Sequence, residues 1–123
     1  MGNEISILEI EEQSARILLG WKKYKLELEA FYKNREGERA FPVMKNSIEL
    51  FIEYLNITNG KKGNGNMDDF PVRPVNVKER LAFIELRPRL YHSYVQLAEL
   101  FTEQEKLFAK NLVLYKIKNK RPD

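Results

Sequence analysis

Five basic side chains between residues 73 and 89 form the part of the sequence best suited to binding chemistry. They are Arg73, Lys78, Arg80, Arg87 and Arg89. The planar guanidinium group of arginine matches the geometry of phosphate and carboxylate groups. One interpretation is therefore a contact surface for an anion or a nucleic acid. The interpretation we favour is that these arginines pair with glutamates of an acidic first helix, because exposed charges on a helix need no ligand.

Residue types that carry catalysis are sparse. His92 is the only histidine, and arginine at position 89 breaks the Glu-x-x-His spacing that metal sites of helical bundles use. The carboxylate pairs that share a helix face lie off the apolar stripes, where solvent surrounds them; they are Glu9–Glu12, Glu49–Glu53 and Glu99–Glu103. The glycine-rich stretch 59–66 lacks the P-loop spacing. We therefore expect no catalytic residue, no metal and no cofactor.

The composition is that of one globular domain over residues 1–123, with 43% hydrophobic and 32% charged residues. The absence of cysteine excludes disulfides and fits a reducing compartment. The first residues are acidic rather than basic, unlike a secretory signal, and no apolar run is long enough for a membrane span. We expect a cytoplasmic protein that does not contact the membrane. The net charge of +3 permits an anionic partner without requiring one.

Apolar residues in the first half recur every three or four positions, which predicts helices. The stripe of the first helix is Ile10, Ile17, Trp21, Tyr24, Leu28 and Phe31. Gly20 could break this helix, and Gly37 is the expected left-handed residue at its end. A second helix is expected to begin near Pro42, with Met44, Ile48, Phe51, Ile52 and Leu55 buried. Residues 57–71 are expected to form a flexible loop.

A third helix is predicted from Asn76, which could form a capping box with Glu79. Its apolar face is Val77, Leu81 and Ile84, and Pro88 is expected to end it. The fourth helix should run from about Pro88 to Lys118 on a seam of Leu90, Tyr94, Leu97, Phe101, Phe108, Leu112 and Tyr115. The seam has a gap at Gln104–Glu105, and a capping box at Thr102 offers an alternative break after Phe101. The prediction is an all-α, roughly antiparallel bundle of four helices, or five with that break.

The last helix carries a second stripe, formed by Leu100, Leu107 and Leu114. A helix that is apolar on two faces contacts two neighbours or a second molecule, so this stripe is a predicted packing or dimer face. The end of the chain is basic, with Lys116, Lys118, Lys120 and Arg121. In an up-down bundle of four helices this end lies beside the acidic start, so we expect the two to attract each other.

Residues 74–110 resemble a known family. The Pro-x-Asn-x-x-Glu-Arg-Leu start at 74–81, then Arg87-Pro88, Tyr91 and Tyr94, and the run from Gln96 to Phe101 are similar to the YpoC-like proteins of Gram-positive bacteria. The resemblance implies a small helical cytoplasmic protein of unknown function, in a family whose genes tend to lie near genes of DNA replication and repair. It supplies no catalytic residues.

The function we expect is that of a non-catalytic helical interaction or accessory protein, with an unidentified protein or a second copy of itself as partner. The first alternative is a nucleic-acid-associated protein that uses the arginine-rich surface. The least favoured alternative is an enzyme with an unrecognised site near His92 or Tyr94.

Overall fold

The computed structural model describes residues 5–120, except for the side chain of Lys120. The helices are α1 (Ile7–Lys33), α2 (Gly37–Ile57), α3 (Val77–Leu86) and α4 (Tyr91–Lys120), with a short 3₁₀ turn at Met67–Asp69. No β-strand occurs in this described part of the chain. The all-α prediction is confirmed, with four α-helices in residues 5–120.

The first helix forms as predicted, and only the corner after its last residue differs from the prediction. The side chain of Ser6 accepts a hydrogen bond from the Glu9 amide at 3.2 Å, which caps the first turn. The helix continues through Gly20 without a break. At the corner before α2 the left-handed residue is Arg35, with φ of 58°, so the prediction that Gly37 takes this conformation was wrong.

The second helix begins at Gly37, so the prediction of a start near Pro42 was wrong and the proline lies inside the helix. A Cβ atom on Gly37 would lie 2.9 Å from the backbone oxygen of Arg89. Glycine is therefore required here by the close approach of the α3–α4 connection, because any side chain would displace that backbone.

The third helix starts without the predicted capping box. Asn76 is in the left-handed conformation, with φ of 58°, and its side chain makes no capping hydrogen bond. Pro88 lies between α3 and α4, as predicted. The fourth helix runs unbroken through Phe101 and Thr102, so the five-helix alternative was wrong.

Helix α1 runs antiparallel to α4. The end of α4 meets the start of α1 where Lys116 pairs with Glu11, and the start of α4 meets the end of α1 where Tyr94 bonds Glu29. Helix α2 packs on α1 and on α4, and α3 packs on α4. The predicted stripes meet in one core, whose members include Ile17, Trp21, Leu28, Met44, Phe51, Leu55, Leu81, Ile84, Leu97 and Phe101. The roughly antiparallel bundle is thus confirmed.

The connection between α2 and α3 is anchored by asparagine side chains. Asn59 accepts a hydrogen bond from the Val72 amide at 3.0 Å and donates one to the Val72 carbonyl at 2.7 Å. Asn56 accepts from the Gly65 amide at 2.7 Å. The flexibility expected for residues 57–71 stays a prediction.

Candidate interaction surface

Arg80 is held by Glu103 across the α3–α4 interface. Its two amino groups donate to the two carboxylate oxygens at 2.9 Å and 2.5 Å, and one of them also donates to the Val75 carbonyl. The hydrogen bond to Glu103 raises the pKa of Arg80, and the same bond lowers the pKa of Glu103. This arginine therefore joins two helices of the bundle.

Arg89 and Arg87 stack on aromatic rings. The guanidinium carbon of Arg89 lies 4.1 Å from the ring centroid of Phe41, and its Nε donates to Glu38. The guanidinium carbon of Arg87 lies 4.6 Å from the ring centroid of Phe83. Such cation–π contacts hold the positive charge against the protein surface. Arg87 and Phe83 are both exposed, so this stacked pair is open to a ligand.

Arg73 and Lys78 are bonded within the connection that precedes α3. Arg73 donates to the backbone carbonyls of Met67, Asp68 and Phe70. Lys78 pairs with the Asp68 carboxylate at 3.1 Å. The acidic partners of the basic cluster therefore come from this connection, α2 and α4. The interpretation that they come from α1 was wrong.

The acidic start of α1 pairs instead with two lysines far away in sequence. Glu11 accepts a hydrogen bond from Lys116 at 3.0 Å, and Glu9 lies 2.8 Å from the Nζ atom of Lys62. The Lys116–Glu11 pair confirms that the basic end of the chain lies beside its acidic start. The Lys120 side chain and Arg121 lie outside the described residues.

His92 is an exposed residue on the first turn of α4. Its ring meets Phe83 edge-on at 6.2 Å between centroids, and its Nε2 lies 3.4 Å from Nε2 of Gln96. Within residues 5–120, no three histidine or acidic side chains lie close enough together to hold a metal ion. None of the described helices is long and apolar enough to cross a membrane.

The predicted second stripe of α4 divides into a buried part and an exposed part. Leu100 is fully buried, whereas Leu107 and Leu114 are 38% and 56% exposed. Beyond Leu107 most side chains of the helix are exposed. The other large apolar side chains exposed on this segment are Val113, Tyr115 and Ile117. We refer to residues 107–117 as the α4 tail.

A groove of about 580 Å³ runs between α1 and the first half of α4. It is lined by Lys25, Glu29, Tyr94, Val95, Ala98, Glu99, Thr102 and Glu103. We call it the α1–α4 groove. Its wall from α4 contributes the small apolar side chains Val95 and Ala98, and its rim carries carboxylates.

The family model described as YpoC-like protein matches residues 11–116, which extend from α1 into the α4 tail. This chain belongs to the YpoC-like family. A stretch of 41 residues is 49% identical to the uncharacterized protein YpoC of Bacillus subtilis (strain 168), and it covers 33% of this chain and 25% of that protein. The match therefore spans about a quarter of the length of that relative. No solved structure matches this YpoC-like chain.

Three hydrogen bonds in this YpoC-like chain carry no local sequence signal. The Tyr94 hydroxyl donates to the Glu29 carboxylate at 2.6 Å, and burial is the main reason why the pKa of Tyr94 is raised. Gln104, which reads as a gap in the apolar seam, is fully buried; its amide nitrogen donates to the Thr58 hydroxyl and the Val72 carbonyl. The partners lie 65, 46 and 32 residues away in sequence, so helical periodicity alone cannot identify them.

Proposed function

We propose that this protein is a non-catalytic helical interaction protein, and that the α4 tail is its docking surface. The observation that carries the proposal is that Val113, Leu114 and Ile117 are each more than half exposed on successive turns of one helix. Large apolar patches of this kind are typical of protein interaction sites. The cysteine-free composition supports a cytoplasmic location as part of this proposal.

The test replaces both Val113 and Ile117 with glutamate, which places two charges on the tail. A matched control replaces Leu19 and Leu26, which are 70% and 69% exposed on α1, in the same way. Assembly is measured by light scattering and by chemical crosslinking of each variant in native extract. We expect the tail variant to lose assembly and the control to keep it. Retention of every assembly by the tail variant would refute the proposal.

Binding of nucleic acid by the arginine-rich surface is the second candidate. What favours it is Arg87, which is exposed and stacked on Phe83 beside the exposed ring of His92. Aromatic and guanidinium planes of this kind are suited to stacking with bases. Against it stand the internal partners of Arg73, Lys78, Arg80 and Arg89.

A salt series separates this candidate from the first. Phosphate contacts release counterions, so a nucleic-acid-binding protein loses affinity steeply as salt rises. The probes are single-stranded and double-stranded DNA and RNA, with the wild type compared with Arg87→Glu. Salt-dependent binding that Arg87→Glu abolishes would support the second candidate, and absence of binding at low salt would exclude it.

A further inference from the structure

The outer face of α4 carries its charges in two blocks. Residues spaced alternately by four and three positions lie on one face of a helix. On this face of α4 they are His92, Gln96, Glu99, Glu103, Lys106, Lys110, Val113 and Ile117. We call this set the outer stripe. Its first half contains the two carboxylates, and its second half contains the two ammonium groups and the apolar side chains.

The order of charges along the outer stripe is complementary to that of a second copy whose α4 runs in the opposite direction. Turning the helix about an axis between Gln104 and Glu105 places Glu99 opposite Lys110, and it places Glu103 opposite Lys106. A two-fold axis relates identical patches, so every favourable pair occurs twice. A parallel pairing in register would instead place Glu99 against Glu99 and Lys110 against Lys110.

We propose that the docking partner of the α4 tail is a second copy of this chain, bound by antiparallel pairing of α4 with its symmetry mate. This inference rests on the proposed function, because it names the occupant of the same surface. The four charged residues of the outer stripe set the direction and register of the two helices. Glu103 already pairs with Arg80, so the Glu99–Lys110 pair is the more selective of the two.

The α1–α4 groove receives the tail of the second copy in this arrangement. The same axis carries Val113 of one copy to the level of Gln96 of the other, next to Val95. Val95 and Ala98 line the groove, whose volume is about 580 Å³. Val113 and Ile117 of both tails are thereby removed from water, which supplies the driving force for association.

The affinity expected from this interface is moderate. Each copy contributes only one helix face and one groove to the interface. Stable protein interfaces bury roughly 1,200–2,000 Å² in total, so we expect this small interface to lie at the weak end. Exposed charge pairs determine orientation and partner choice more than affinity. Dimerisation should therefore depend on protein concentration and weaken as salt screens the charge pairs.

A charge-swap experiment tests the register. Sedimentation equilibrium compares the wild type with Glu99→Lys, with Lys110→Glu and with the variant that carries both substitutions. Each single substitution creates two repulsive pairs per dimer, so we expect dimerisation to weaken roughly tenfold or more, since like charges placed together across an interface disfavour it. The double variant restores opposite charges and should return to about the wild-type constant. Glu12→Lys and Lys22→Glu, both exposed on α1, are the matched controls and should change nothing.

A crosslinking experiment tests the orientation. The chain has no cysteine, so single cysteines can be introduced at will. Chains with Glu99→Cys mixed with chains carrying Lys110→Cys should form a disulfide-linked heterodimer under mild oxidation. Neither variant alone should crosslink, because in the antiparallel pair its two copies lie about 16 Å apart along the axis, at 1.5 Å per residue.

A chain that stays monomeric at the highest concentrations would overturn the inference, as would a double swap no better than the single substitutions. These failures remain distinct from failure of the proposed function. The wild type could instead be monomeric and bind a different, identified protein. If the Val113 and Ile117 variant loses that partner, the proposed function stands and the second copy is excluded. If that variant keeps every assembly of the wild type, both the proposed function and the inferred dimer are refuted.

Discussion

The indole of Trp21 lies flat against the ring of Phe101, with ring centroids 4.3 Å apart and 9° between the planes. Phe101 also meets Phe51 edge-on at 5.1 Å between centroids. One phenyl ring on α4 therefore contacts α1 and α2 at once. Aromatic pairs of this geometry add about 0.5–1.5 kcal/mol beyond the burial of their area. This cluster is the centre of the core that holds the long helices together.

Replacing Phe101 with alanine should destabilise the fold by about 3–5 kcal/mol, because it leaves a cavity among three helices. Urea unfolding followed by fluorescence of Trp21, the only tryptophan, measures the loss. Phe83→Ala is the matched control, since Phe83 lies at the surface against Arg87. The control should lose far less stability, and equal losses in the two variants would contradict the assigned core.

Two glycine-to-alanine substitutions should change stability in opposite directions. Gly20 lies in the interior of α1, where an added Cβ would lie 3.5 Å from Leu50, an ordinary contact distance. Alanine there should stabilise by up to about 1 kcal/mol, because it favours the helix and restricts the unfolded chain. Gly37→Ala should destabilise, because the added Cβ would lie 2.9 Å from the Arg89 carbonyl. Thermal unfolding of both variants checks the signs, and stabilisation by Gly37→Ala would contradict the close approach.

The helices and their buried faces could be predicted because periodicity is a local property of the sequence. Ile17, Met44 and Leu97 all fell on predicted stripes and are fully buried. The predicted seam failed at its ends, where Leu90 and Tyr115 are about half exposed. Burial depends on how far the neighbouring helices extend, which periodicity does not specify.

The corners and the charge partners could not be predicted in the same way. Gly37 is required by the backbone of Arg89, 52 positions away, and Arg80 finds Glu103 on another helix. Many carboxylates are equally available in the sequence, so only the packing of helices selects one. The basic cluster was recognisable from composition, but its role as a set of contacts between elements required the fold.

Tyr94→Phe should destabilise the protein at neutral pH by about 1.5 kcal/mol, because it removes a hydrogen bond to the charged Glu29. Urea unfolding measures this difference. The matched control is Tyr115→Phe, because Tyr115 is exposed on the same helix; it should have little effect.

Alkaline pH should reduce the difference between the wild type and Tyr94→Phe. Burial raises the pKa of Tyr94 above its ordinary value of about 10. The unfolded chain therefore ionises first, and the contribution of Tyr94 is complete below about pH 10 and declines above it. Burial also raises the pKa of Tyr32 to about 12, so the wild type as a whole should lose stability in this range. A difference that stays constant up to strongly alkaline pH would contradict the burial of the Tyr94 hydroxyl.

Gln104→Glu tests the buried polar contact at the centre of α4. Gln104 is fully buried and donates to Thr58 and to the Val72 carbonyl at 2.9 Å and 3.0 Å. A carboxylate cannot donate to that carbonyl, and burial penalises its charge, so the variant should lose about 3–5 kcal/mol at neutral pH. Burial also raises the pKa of the new carboxyl group. The penalty should therefore shrink as the pH falls towards about 4.3, which is the pKa of glutamate in the unfolded chain.

Urea unfolding of Gln104→Glu at several pH values measures this dependence, and Gln13→Glu is its matched control. Gln13 lies at the surface of α1, where it accepts a hydrogen bond from Arg16 at 2.8 Å that a carboxylate can also accept. The control should therefore change stability little at any pH. If Gln104→Glu were equally harmless near neutral pH, the side chain at position 104 could not be enclosed between α4 and the Thr58–Val72 segment, and the bundle would have to be open there. The expected pH-dependent loss requires both the burial and the Val72 contact, which makes this substitution the most direct test of how the α2–α3 connection is attached to the last helix.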